Sequence, residues 1–199
     1  MTDPPDGHMT DLAVTDCERC PALVESRSRI VNGVGPADAD LVFVGEGPGA
    51  REDEQGEPFV GRSGSVLDEA LRDAGLARAD VRITNCVRCR PPDNRDPHVE
   101  ELENCRDYLE RELRLLDPTL IVTLGKVPAE HLLDREVAVT AEAGDTDRAV
   151  LGGDSRLVMI SLHPAATLYD NSTAERFTAT IRAAADYVED GGQQRLGEF

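Results

Sequence analysis

Two rhythms of apolar and polar positions alternate along the chain. An unbroken apolar run at residues 41–44, a run at 120–124 broken only by Thr123, and more mixed runs at 81–84 and 156–161 read as buried strands. Between them, apolar residues recur at helical spacing. Residues 64–74 form one such stretch and are closed by Gly75; Asp96 and Pro97 open a second that carries Val99, Leu102, Leu109 and Leu113. A short helix over 127–133 follows the third strand. Residues 136–153 have the punctuation of a hairpin, and Ser172 or Thr173 opens a last helix running towards Val188. The strand-then-helix order predicts a single three-layer α/β/α domain on a central, mostly parallel, four-stranded sheet. It would span residues 17–190, between a flexible acidic start at 1–16 and a flexible tail at 191–199.

The strand ends locate the chemistry. In an open parallel sheet, ligands bind beyond the carboxyl ends of the strands. Glu46, Asn85, Gly125 and His163 each follow a predicted strand by one or two residues. If the strands are parallel, these residues share one crevice.

Composition changes this picture in two places. The chain has 199 residues and a net charge of −18, which ordinarily disfavours binding to nucleic acid. Lys126, however, is the only lysine, and the acidic residues are spread through the sequence rather than gathered in a tail. That distribution reads as adaptation to a salty solvent, so the sign of the local charge matters more than the total. Around Arg82, Arg88, Arg90 and Arg95 it reverses, with Asp93 the only acid among them. The first residues carry no basic stretch followed by an apolar one, and no later run approaches the length of a membrane span, so a cytoplasmic protein is the expectation. Five cysteines, an odd number, disfavour a disulfide framework there and favour metal or cluster binding.

Each candidate residue has an ordinary reading beside a chemical one. Gly45-Glu46-Gly47-Pro48-Gly49 suits a tight strand-to-helix turn as well as a loop that aims main-chain N–H groups at a ligand. A dinucleotide fingerprint fits poorly, because the glycine spacing differs and no helix is expected at once. Phe59, between Pro58 and Val60-Gly61, is a core residue or a platform for a planar base. Asn85 is a turn residue or a donor–acceptor pair matched to the N3–H and O4 edge of uracil. His163, before Pro164, is structural or stabilises charge on a leaving group. Four cysteines, Cys17-x-x-Cys20, Cys89 and Cys105, suit zinc or a [4Fe–4S] cluster equally by spacing.

Taken in order, the Cys17-x-x-Cys20 pair, Gly45-Glu46-Gly47-Pro48-Gly49, Glu52-Asp53, Pro58-Phe59-Val60-Gly61-Arg62, Thr84-Asn85, Cys89-Arg90-Pro91-Pro92, Cys105 and His163-Pro164-Ala165 resemble the family 4 uracil-DNA glycosylases. The resemblance runs from residue 17 to about 168. It implies a base-excision repair enzyme that flips uracil out of single- or double-stranded DNA and hydrolyses its glycosidic bond, leaving an abasic site. Glu46 and His163 would be catalytic, the first activating water and the second beside the O2 anion. Phe59 would stack on the base, Asn85 would read its edge, and amides near Gly47 and Gly49 would help to bind it. Glu52 would stand near C5 and exclude the thymine methyl. Leu168 would wedge into the minor groove, with Arg62 and Arg90 as further DNA contacts. The resemblance also implies a [4Fe–4S] cluster on Cys17, Cys20, Cys89 and Cys105, with Cys86 as a small buried side chain or a substitute for Cys89. A monomer is expected, with a replication sliding clamp as a candidate partner. The arginine that often follows the family's wedge leucine is missing from Ala166-Thr167-Leu168-Tyr169.

Three other readings compete, one of them a zinc-stapled nucleotide-binding protein that iron analysis and visible absorption would test. A covalent uracil-binding branch carries an added basic loop with a histidine, which this chain lacks. A non-catalytic cluster-containing DNA-binding module would not need Glu46, Asn85 and His163 together.

Overall fold

The computed structural model describes residues 7–168 and 170–191. A hairpin of β1 (Gly7–Thr10) and β2 (Ala13–Cys17) leads into a short helix, α1 (Pro21–Ser26). The α/β unit then runs β3 (Leu41–Gly45), α2 (Ala50–Gln55), α3 (Arg62–Asp73), β4 (Arg82–Asn85), α4 (Val99–Leu116), β5 (Leu120–Leu124) and α5 (Lys126–Leu133). It closes with α6 (Val139–Glu142), β6 (Thr146–Leu151), β7 (Asp154–Ser161) and α7 (Asn171–Glu189).

The main sheet has the order β4-β3-β5-β7-β6. Its first four strands are parallel, and β6 pairs antiparallel with β7. The sheet therefore has five strands rather than the four expected. The extra strand comes from the predicted hairpin region: Gly152 and Gly153, both at positive φ, turn the chain back. Thr146, Asp147 and Arg148 are exposed and leave no continuous apolar run, as befits an edge strand.

Alternation along each strand divides the core into two faces. On one, Leu41, Phe43, Ile83 and Val122 meet Leu67 and Leu71 of α3 and Phe177 and Ile181 of α7. On the other, Val42, Val44 and Ile121 meet Leu109 and Leu113 of α4 and Leu132 of α5. Burial on both sides explains why β3 and β5 read as nearly continuous apolar runs, broken in β5 only by the buried Thr123.

Several local expectations are corrected. Residues 7–16 are not a loose extension of the fold: Met9 and Val14 are buried against Tyr108 of α4, and this contact orders the hairpin. Residues 192–199 of the expected tail lie outside the described residues. Helix α4 starts at Val99, not Pro97, because Glu101 closes the first turn by accepting the His98 amide at 2.7 Å. Val99 is accordingly 71% exposed instead of lying on the apolar face. A helix does follow the glycine turn at once, since α2 begins directly after Gly49. Arg82 and Arg88 are buried around Glu112 and form no surface patch.

Candidate active site

The parallel register pairs Gly45 with Asn85, so the chain leaves β3 and β4 side by side. The pairing continues past the strands through Cys86 N–H to the Gly45 carbonyl at 2.9 Å and Val87 N–H to that of Glu46 at 3.1 Å. Across the sheet, the Gly125 amide donates to the Ser161 carbonyl at 3.0 Å. Gly125 has φ +108°, and a Cβ there would stand 3.1 Å from that of His163, so this glycine seats the histidine. The structure thus brings Glu46, Asn85, Gly125 and His163 to one end of the sheet.

Phe59 joins them from the loop after α2. Its ring centroid lies 6.1 Å from that of His163, with the planes tilted by 38°. Gly45 fits between ring and amide: a Cβ on it would lie 2.5 Å from Phe59 Cε2 and would collide with Asn85 Oδ1. Asn85 is 2% exposed, and neither its Oδ1 nor its Nδ2 has a partner among the described residues. A buried amide with both polar atoms unpaired costs stability, about 1–3 kcal/mol per group. Such a cost is rarely retained without a ligand that offers the complementary donor and acceptor.

Two titratable groups stand at the same end of the sheet. Burial, reinforced by the negative charge of Asp96, raises the pKa of Glu46 to about 7. Burial lowers that of His163. The His163 Nδ1 accepts the Ala165 amide at 3.1 Å, which leaves the proton of the neutral ring on Nε2 as a donor. A planar heterocycle stacked on Phe59 and paired with Asn85 would therefore meet a carboxylate able to take a proton and an uncharged imidazole able to donate a hydrogen bond.

Glu52 turns both carboxylate oxygens onto the backbone of its own loop. One carboxylate oxygen accepts the Gly49 amide and the other accepts the Phe59 amide at 2.5 Å. Its charge is spent on shaping the loop, and the Gly49 amide is not available to a ligand. Gly47 packs on Val87, with a Cβ there 2.7 Å from Val87 Cγ2. Asp53, part of the Glu52-Asp53 motif but given no role by it, is buried and accepts the Ser28 amide at 2.8 and 2.9 Å, tying α2 to the segment after α1.

The arginine-rich stretch does not form one basic surface. Glu112 Oε1 takes Arg82, its Oε2 takes Arg88 at 2.6 Å and Thr84, and Arg95 forks onto Glu101 at 2.7 and 2.8 Å. Arg90 bonds Asn94 at 2.8 Å. Arg62, at the start of α3, is exposed. Leu168 is 41% exposed at the end of a short 3₁₀ turn that begins at Pro164.

The cysteines separate into two environments. Cys86 is fully buried among Val42, Val44, Leu109 and Leu113, and burial raises its pKa strongly. Cys89 is also raised by burial, opposed by a hydrogen bond from Arg27 at 2.9 Å, and it feels Cys17 and Cys20 as like charges. Cys105 is raised by burial and feels Cys89 and Cys17. Arg27 also donates to the Cys17 carbonyl at 2.8 Å, so it ties the amino-terminal cysteine pair to the Cys89 loop. Cys17, Cys20, Cys89 and Cys105 are thus electrostatic neighbours, and Cys86, although enclosed in apolar core, also feels Cys105. Among the described residues, no three His, Cys, Asp or Glu side chains close around a single metal ion.

Residues 32–186 match the profile of the uracil DNA glycosylase superfamily. The chain is 41% identical over 173 residues to the type-4 uracil-DNA glycosylase of Archaeoglobus fulgidus, covering 85% of this chain and 86% of that one. The chain belongs to the type-4 branch of the uracil-DNA glycosylase superfamily. A type-4 uracil-DNA glycosylase of Thermotoga maritima is likewise 41% identical, over 82% of this chain and 83% of the relative. The type-5 uracil-DNA glycosylase of Pyrobaculum aerophilum is 29% identical over 86% of this chain and 89% of its own. Within this superfamily member, sequence reasoning missed the supporting roles of Arg27, Asp53 and Arg78, whose partners lie far along the chain.

Proposed function

We propose that this protein excises uracil from DNA, releasing the free base and leaving an abasic site. The observation that carries the reading is the buried, unpartnered amide of Asn85 facing Gly45 beside the Phe59 ring. An amide oxygen and an amide nitrogen in one plane match the N3–H donor and O4 acceptor of uracil, and a cytosine edge reverses both. The flipped base stacks on Phe59.

The reaction exchanges one bond for another. The N1–C1′ bond breaks with its electron pair leaving on the base, and His163, neutral and donating through Nε2, stabilises the charge that collects at O2. Glu46 favours the positive charge on the sugar and accepts a proton from water as the water oxygen bonds to C1′. That proton is then available to the departing uracil anion. Phe59, Asn85 and the Gly47 turn hold the base in place, while Leu168, Arg62 and Arg90 are proposed contacts to DNA.

Cys17, Cys20, Cys89 and Cys105 are the proposed ligands of a [4Fe–4S] cluster. Four thiols that are electrostatic neighbours fit its donor set, and Cys86, enclosed by apolar side chains of the sheet and α4, is left out of it. Bound there, such a cluster supplies a cross-link between the amino-terminal segment, the loop after Asn85 and α4, with no redox step in the hydrolysis. Iron content and visible absorption of freshly purified protein test this against zinc. A monomer in the cytoplasm of a salt-loving cell, with a sliding clamp as partner, completes the proposal; equal stability in dilute buffer and molar salt would remove the salt adaptation.

The deciding experiment measures free uracil released from uracil-containing single-stranded DNA at high salt, comparing the native protein with Glu46→Ala. Release by the native protein alone supports the reading. Binding without release by the native protein would favour a non-catalytic module, and equal release by both would remove Glu46 from the mechanism.

A further inference from the structure

The Pro58–Phe59 peptide is held at both of its polar ends. Its N–H, on Phe59, donates to Glu52 Oε1 at 2.5 Å, and its carbonyl, on Pro58, accepts from Arg78 Nη2. Arg78 lies in the turn after α3 and is itself anchored by Asp68 at 3.0 Å through Nη1. The peptide so gripped precedes a residue in an unusual conformation: Phe59 has φ +55°, in the left-handed region that non-glycine residues seldom occupy. Behind it, Gly64 leaves room for the Phe59 carbonyl, which any Cβ at that position would strike. A phenylalanine required only to fill core could relax to ordinary φ and turn its ring. This one is prevented from doing so by an anion on one side and a cation on the other.

Resting on the uracil-excision reading above, we infer that Arg78 is a positioning residue for catalysis: with Glu52 it clamps the Pro58–Phe59 peptide and so fixes the ring on which the base stacks. Arg78 acts through Phe59. Glu52, with both oxygens engaged on amides, serves the same clamp from the other side. Loss of either releases the left-handed conformation and lets the ring leave the slot bounded by Gly45 and Asn85.

A double-mutant cycle between Arg78→Met and Phe59→Ala tests this. In the native background, R78M should lower kcat/KM for uracil release on the order of 10- to 100-fold, the scale of loss from a small misplacement of a reacting group. In the F59A background the same change should cost less than about 2-fold, because no ring remains to be placed. Arg78→Lys, which keeps a cationic donor for the Pro58 carbonyl, should recover part of the loss. Equal losses in the two backgrounds, or no loss at all, would overturn the inference. Absence of release by the native protein would instead count against the uracil-excision reading. A readout independent of activity is hydrogen exchange at the Phe59 amide, which should quicken in R78M, and less so in R78K, relative to neighbouring amides; an unchanged rate in a folded R78M protein overturns the clamp.

Discussion

Phe59 and His163 bring their rings to 6.1 Å at a tilt of 38°, one from the loop before α3 and the other from the end of β7. At that separation a single base can rest on the phenylalanine and touch the imidazole, so stacking and charge stabilisation act on one ligand together. The sheet makes this possible: β3 and β7 lie on either side of β5, and all three run in the same direction.

Glu46 should set the lower limb of the pH–rate profile. It acts ionised, and burial with help from Asp96 holds its pKa near 7, so kcat/KM should climb as pH passes about 7. Asp96→Asn removes a negative neighbour, favours the carboxylate and moves that midpoint to lower pH. The displacement should shrink in molar salt, because Asp96 is exposed and screened. A limb that stays fixed in the variant would mean that another group titrates.

Asn85 should trade stability for function. Replacing it by leucine, of similar size, removes two unpaired buried polar atoms that cost about 1–3 kcal/mol each. The variant should melt no lower than the native protein while uracil release falls on the order of 100-fold or more. A variant that unfolds would show that the amide has a structural partner.

Gly45 should tolerate no side chain. A single methyl group at this position enters the space between the Phe59 ring and the Asn85 amide, and neither neighbour is free to retreat from the core. Gly45→Ala is expected to keep its circular dichroism and lose uracil release. Undiminished release would place the base elsewhere.

The two cysteine environments should separate in their iron content. Cys89→Ala should lose iron and visible absorption along with folded yield, whereas Cys86→Ala should keep both, its site being apolar core. Full activity in a colourless, well-folded C89A protein would remove the cluster assignment.

Glu112 is the charge on which β4 rests. Burial alone would raise its pKa, but Arg88, Arg82 and Thr84 outweigh burial and lower it. A carboxylate depressed in the folded state contributes stability above its unfolded pKa of about 4.3, and that contribution is lost as pH falls through the folded value. Acid unfolding should therefore begin at higher pH in Glu112→Gln than in the native protein. Glu112→Ala should cost about 3–5 kcal/mol, because two guanidinium groups stay buried without their partner.

Strand positions and the residues just past them were legible from the chain alone, since an apolar run buried on both faces has a local signature and a parallel sheet gathers whatever follows its strands. Glu46, Phe59, Asn85, His163 and the four cysteines could be singled out on that basis and by family resemblance. The sequence could not reveal that Arg82 and Arg88 point inward to Glu112, that Glu52 turns both oxygens onto the backbone, or that Arg78 holds Pro58. Apart from the local Gly49–Glu52 bond, those facts depend on which partners meet at separations of 7 to 30 residues along the chain. Side-chain type fixes what a group can bond to; only tertiary packing decides which bond it makes, because burial turns every unpaired charge into a cost and leaves one arrangement that meets nearly all of them.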